Sequence, residues 1–196
     1  MLYDRKPALV TPPALQPLTL DEVRQHLKID HTDEDTLLAL LIAAAVSHID
    51  GWSGILGRCL INQGWRLDLP AFPDGGCLVL PFPGISLVTI SYRDSAGAMQ
   101  ALPAGNIWLS ETSEGTILSL AEGASWPATA LRPDAVSISL TAGYGPTADK
   151  IPASLRAALL FLTGELYRNR EMSVPASSRD NPVIKALTAP HVFTGV

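Results

Sequence analysis

Four histidines, two cysteines and a scatter of carboxylates are the groups in this chain that could bind a metal or move a proton. His26, His31, His48 and His191 form no His-x-x-x-His pair, the spacing that sets two imidazoles on one helix face for a metal. His48 and Asp50 stand two apart and would point to different faces of a helix. Asp30, Asp33 and Asp35 resemble the start of a calcium loop, but the glycine and closing glutamate of such a loop are missing. Capping of a helix is the better account of them, because a helix N-terminus favours acidic groups. The run Gly143-Tyr144-Gly145-Pro146-Thr147-Ala148-Asp149-Lys150 sets glycines and a lysine before a helix, as a phosphate loop does. A true phosphate loop needs four residues between its glycines and Ser or Thr after the lysine, so this run reads as a turn. Cys59 or Cys77 could act as a nucleophile beside a histidine, but nothing in their context activates them, and each reads as a small buried hydrophobe. Trp52, Trp65, Trp108 and Trp126 read as core filling. Trp126, beside Pro127 in the loop before the last strand, is the one expected as an exposed contact. No nucleophile, base and stabiliser come together, so we expect no enzyme, no metal and no cofactor.

The composition bounds the rest. Hydrophobic residues make up 47% and charged residues 17% of the 196, enough apolar material for one buried core or a core with an embedded subdomain. Sixteen prolines and fifteen glycines cluster between the apolar runs and predict a β-rich middle with frequent turns. The net charge is −5, and no run has more than two adjacent Lys or Arg, which disfavours tight, general DNA binding. Asp4-Arg5-Lys6-Pro7 leads into a proline-rich stretch rather than an apolar signal region, and the apolar run from Leu37 to Val46 is too short to cross a bilayer. We expect a soluble cytosolic protein with reduced thiols.

Elements follow from the spacing of apolar residues. Residues 1–18, with Pro7, Pro12, Pro13 and Pro17, predict an extended arm. Thr19 followed by Glu22 is a capping box opening a helix over 19–28, with Leu20, Val23 and Leu27 on its apolar side. A second helix is expected over 33–52, with Leu38, Ile42, Ala45, Ile49 and Trp52 on one face and Leu37, Leu41 and Ala44 beside it. A helix apolar on more than one stripe is either central or shared with another subunit. From Trp65 the period changes to two, and strands are expected in 65–69, 77–80, 86–93, 99–102, 107–109, 116–120 and 135–142. Asp94-Ser95-Ala96-Gly97 should close a hairpin. Pro152 opens a helix over 152–170 that ends on Arg168 and Arg170, where cations suit its negative end. The fold class expected is α+β: a small α-helical core of two N-terminal helices plus a C-terminal helix, with a β-rich insertion over 59–143. Residues 171–196 predict a flexible tail with little more than a turn around Val183–Leu187.

Taken in order, these pieces resemble the phage head–tail connector (adaptor) proteins, a family that includes the adaptors of gene transfer agents. The likeness runs from Pro17-Leu18-Thr19-Leu20-Asp21-Glu22-Val23 through Asp33-Glu34-Asp35 and its Leu-rich helix to Gly57-Arg58-Cys59-Leu60-Ile61-Asn62-Gln63-Gly64-Trp65. It continues through Leu80-Pro81-Phe82-Pro83-Gly84 and Ala142-Gly143-Tyr144-Gly145 to a closing helix ending Leu166-Tyr167-Arg168-Asn169-Arg170-Glu171. It covers about residues 17 to 171.

The resemblance implies a connector domain over 19–170 that assembles as a ring coaxial with a portal protein. One face would meet the portal and the other a stopper or tail protein, with genomic DNA passing through without sequence-specific binding. It implies a place in the virion neck after assembly in the bacterial cytoplasm. Partner contacts are expected at Trp126, Arg168, Arg170, Val183, Ile184, Leu187 and Phe193, the tail ordering only on docking. A stopper or tail-completion protein of the same neck, or a small cytosolic hydrolase, are the rival readings.

Overall fold

The computed structural model describes residues 6–112, 115–169 and 181–193. The chain divides into two compact units, a β unit (residues 1–13, 62–143 and 193–196) and a helical unit (residues 14–61 and 144–192).

The helical unit holds α1 (Leu20–Leu27), α2 (Asp35–Ile49), α3 (Ala153–Arg168) and α4 (Pro182–Thr188). Thr19 caps α1 as the sequence predicts: its hydroxyl accepts from the Glu22 N–H, while the Glu22 carboxylate accepts from the Thr19 N–H at 2.8 Å. The helix ends on Lys28 in the left-handed region (φ 59°), where the N–H groups of Lys28 and Ile29 satisfy the last carbonyls. Along α2 the buried residues are Leu38, Ile42, Ala45 and Ile49, a stripe at helical spacing. They meet Leu155, Ala158, Leu159 and Leu162 of α3 in one core with Leu56, Leu60 and Ile61.

The loop between α2 and the β unit is wound tightly. Asp50 accepts from the Leu60 N–H at 2.6 Å, and the Gly51, Ile55 and Leu56 amides all find carbonyls. Gly54 fits so closely that a Cβ would stand 2.4 Å from the Ile49 and Asp50 carbonyls. Glu34 and Asp35 open α2, but by a different device from the expected cap. No side chain caps the amides; Asp35 instead takes the Arg24 guanidinium, and Glu34 accepts from the Tyr167 hydroxyl.

The β unit holds β1 (Ala8–Thr11), β2 (Gln63–Leu69), β3 (Cys77–Val79), β4 (Ile85–Arg93), β5 (Met99–Leu102), β6 (Ile107–Thr112), β7 (Gly115–Leu120) and β8 (Val136–Ala142). They form two antiparallel sheets, ordered β1-β2-β8-β4-β5 and β3-β7-β6. In β2 and β8 every second residue is buried, among them Trp65, Leu67, Val136, Ile138 and Leu140. The Asp94 turn closes the β4–β5 hairpin, with its carboxylate accepting from the Ala96 and Ala98 amides at 3.0 Å each.

Two sequence expectations need correction. The arm is extended but does not stay apart: Ala8–Thr11 adds to the edge of the larger sheet against β2. The tail is not simply flexible. Asn181 caps α4 by accepting from the Val183 and Ile184 amides, Ile184 is buried at 2% exposure, and Leu187 packs on the helical core. An Asn-Pro start and two apolar residues facing α3 stabilise a helix that seven residues could not sustain alone.

Candidate assembly surfaces

Two exposed surfaces lack the usual charged cover. On α2 the outward residues are Thr36, Ala39, Leu40, Ala43, Ala44 and Ser47, all exposed, and none carries a charge. They recur at the spacing of a second apolar stripe, and Leu40 is 65% exposed. On the smaller sheet β6 is an edge strand paired along its full length to β7, with Trp108 60% and Leu109 40% exposed. Its one acidic residue, Glu111, is engaged within the unit, accepting from the Gly84 N–H at 3.1 Å and the Thr116 hydroxyl at 2.5 Å.

The other edges are better guarded. β1 has four residues between Pro7 and Pro12, β3 has three, and β5 has four beside the Arg93–Asp94 turn. Short length, proline and charge are the ordinary protections of an edge strand, and β6 has none of them turned outward.

The residues expected to meet partners are distributed differently from the sequence reading. Trp126 is half-buried: its ring stacks on Phe72 at 4.7 Å and its indole N–H donates to the Gly75 carbonyl at 3.0 Å. Trp108 and, past the end of α2, Trp52 are exposed, contrary to their expected role in the core. Strand alternation alone does not say which sheet face is covered, so the sequence could not separate Trp108 from Trp126. Ile184 lies in the helical core and is not available to a partner, and Leu187 packs beside it. Phe193 lies against Gly115, where a Cβ would stand 2.7 Å from the ring. Val183 is 51% exposed and Arg168 is exposed in the last turn of α3; Arg170 lies outside the described residues. Cys59 is buried, but Cys77 is exposed rather than a core hydrophobe.

One polar cluster was not foreseen. His191 stands between the Ser154 hydroxyl at 2.9 Å and the Tyr144 hydroxyl at 3.3 Å, and Arg58 donates to that same Tyr144 hydroxyl at 2.6 Å. The members are far apart in sequence, so no local motif announces them. A serine beside a histidine suggests hydrolase chemistry, but among the described residues no carboxylate stands behind this imidazole to stabilise its protonated form. Burial, and then the Arg58 charge, hold His191 below the ordinary histidine range, so it stays neutral and hydrogen-bonded. The cluster fastens the turn after α4 to the start of α3 and to the Arg58 loop.

Residues 17–67 match the family of phage gp6-like head-tail connector proteins, a segment that takes in α1, α2 and the first part of β2. No curated protein matches the chain. Its fold is similar to that of a chain in the neck of an empty gene transfer agent particle, computed with C6 symmetry. That chain has a TM-score of 0.79 and 25% identity, over 98% of this chain and 97% of the other. A chain in the virion of a native gene transfer agent particle gives 0.78 and 26% over the same shares. A chain in a native neck computed with C12 symmetry shares the fold, with a TM-score of 0.76 and 24% identity. The resemblance to head–tail connectors read from the sequence is borne out, by the matching segment at 17–67 and by the fold of the whole chain.

Proposed function

We propose that this chain is a structural neck adaptor of a tailed phage or phage-like particle. It forms a ring between the portal and a stopper or tail protein, and DNA passes through the hole. The observation that carries this reading is the likeness along 98% of the chain to neck and virion chains of gene transfer agent particles, two of them at 25% and 26% identity. The reading includes no catalysis. Among the described residues the Ser154–His191 pair has no carboxylate support, and its chemistry is accounted for by fastening α4. With a net charge of −5, the protein holds DNA by enclosure rather than by neutralising phosphates.

The assembled protein belongs to the virion neck and joins it in the bacterial cytoplasm. Of the residues expected to meet partners, Val183 and Arg168 are the exposed ones among the described residues, open to the portal or stopper. Deleting the gene from a producing strain tests the reading: DNA-filled heads and separate tails should accumulate. Normal tailed particles from the deletion strain would overturn it.

A further inference from the structure

We infer that neighbouring copies in the ring meet through two unlike patches, the outer face of α2 on one copy and the β6 edge on the next. The inference rests on the neck-ring reading. A cyclic ring closes by a head-to-tail contact, so each copy must offer two different surfaces, one to each neighbour. A helix and a sheet edge meet that condition.

Charge selects this pair from the other exposed apolar residues. A charge-free helix face avoids the cost of burying a charge only against a surface that also strands none. Thr36 to Ser47 of α2 contains no charged residue, and the single carboxylate of β6 is already satisfied by Gly84 and Thr116. Leu131, Met99 and Val183 fail on this count; Leu9 and Val10 do not, but they lie on β1, a four-residue edge closed by Pro7 and Pro12. Leu131 sits beside the Arg132–Asp134 ion pair, Met99 beside Arg93 and Asp94, and Val183 two residues from Lys185. Leu87 lies on the sheet face that carries Arg66, Asp68 and a row of Ser and Thr. On α2 the small side chains at 39, 43 and 44 leave room beside Leu40 for a large partner, and Trp108 supplies one.

The test is cross-linking in full-length protein assembled on purified portal, in a Cys77→Ser background, since Cys77 is exposed and Cys59 is buried. Chains carrying Ala43→Cys are mixed with chains carrying Ser110→Cys and treated with a short bismaleimide. Circular dichroism confirms that both variants fold. The expected result is cross-linked dimers in the mixture, at least tenfold above either variant alone, and a ladder of higher oligomers when one chain carries both cysteines. Dimers from Ala43→Cys alone would show a like-with-like contact and overturn the inference. Rings visible on the portal without mixed cross-links would overturn it while leaving the adaptor reading intact. Absence of any ring on the portal would remove the adaptor reading, and this contact with it.

Discussion

The two units of this protein use charge in opposite ways. In the helical unit, beside the local pairs Arg24–Asp21 and Lys150–Asp149, two ion pairs join separate elements. Arg24 of α1 binds Asp35 at the start of α2, eleven residues on, and Glu22 of α1 binds Arg156 of α3, 134 residues on. In the β unit the ion pairs Arg66–Asp68 and Arg132–Asp134 link residues two apart, and Asp68 also accepts from the Ser137 hydroxyl on the neighbouring strand. There the sheets hold through ladders and a core of Trp65, Phe82, Ile90, Ile138 and Leu118. An eight-residue helix such as α1 buries a single side chain completely, Val23, so it needs polar tethers to stay docked. A strand within a sheet gets its position from its neighbours.

The glycines give the largest test of that contrast. Gly54→Ala forces a Cβ into the Ile49 and Asp50 carbonyls and should destabilise the helical unit by about 4 kcal/mol or more. Gly75→Ala in the β unit meets nothing within 4 Å and should stay within about 0.5 kcal/mol of the parent. Urea titrations of both variants measure the difference. Equal effects would show that the tight α2 loop is not a special constraint.

Next in size is α4. Ile184→Ala should cost about 3 kcal/mol, because the side chain is 2% exposed inside the helical core. Val183→Ala, at 51% exposure, should cost less than about 0.5 kcal/mol. Removing residues 181–196 should therefore lower the melting temperature as well as impair assembly. An unchanged melting temperature would mean that α4 contributes nothing to the fold.

The ion pairs predict a pH dependence. A hydrogen bond from Arg24, then its charge, holds Asp35 below the ordinary carboxylate range. Burial pushes Glu22 up, but hydrogen bonds from Thr19 and the Arg156 charge outweigh it and leave Glu22 low. Both carboxyls are thus more acidic folded than unfolded. Their contribution to stability is present above the unfolded values, near about 4, and is lost as pH falls through the folded ones. Acid titration by circular dichroism should show helical signal lost in that range, and Glu22→Gln should flatten the dependence. A Glu22→Gln curve identical to the parent would remove the α1–α3 tether from the account.

The smallest effect is at Lys28, held at φ 59°. Lys28→Gly relieves the left-handed backbone and should stabilise the protein by about 0.5 kcal/mol, read as a small rise in melting temperature. A loss of stability would mean that the lysine side chain contributes more than its backbone costs.

What could be read from the chain follows the same division. Local devices were legible: the Thr19–Glu22 box, the apolar stripes of α2 and α3, the alternation of β2 and β8, and the Asp94 hairpin. Each is a pattern set within a few residues. Contacts that depend on distant partners were not. Nothing in Ala8–Thr11 states that it will find β2, nor in Asn181-Pro182-Val183-Ile184 that α3 will bury its isoleucine. The Tyr144–His191–Ser154 cluster draws on three separate segments. The second apolar stripe expected on α2 at Leu37, Leu41 and Ala44 is only partly right: Leu37 and Leu41 are half-buried, and Ala44 alone lies on the exposed face with Ala39, Leu40 and Ala43.

Cryo-electron microscopy of purified portal mixed with this protein measures the central claim most directly. The account predicts a closed ring of this chain stacked coaxially on the portal, with a clear central channel. Portal particles that remain bare at every mixing ratio would contradict it.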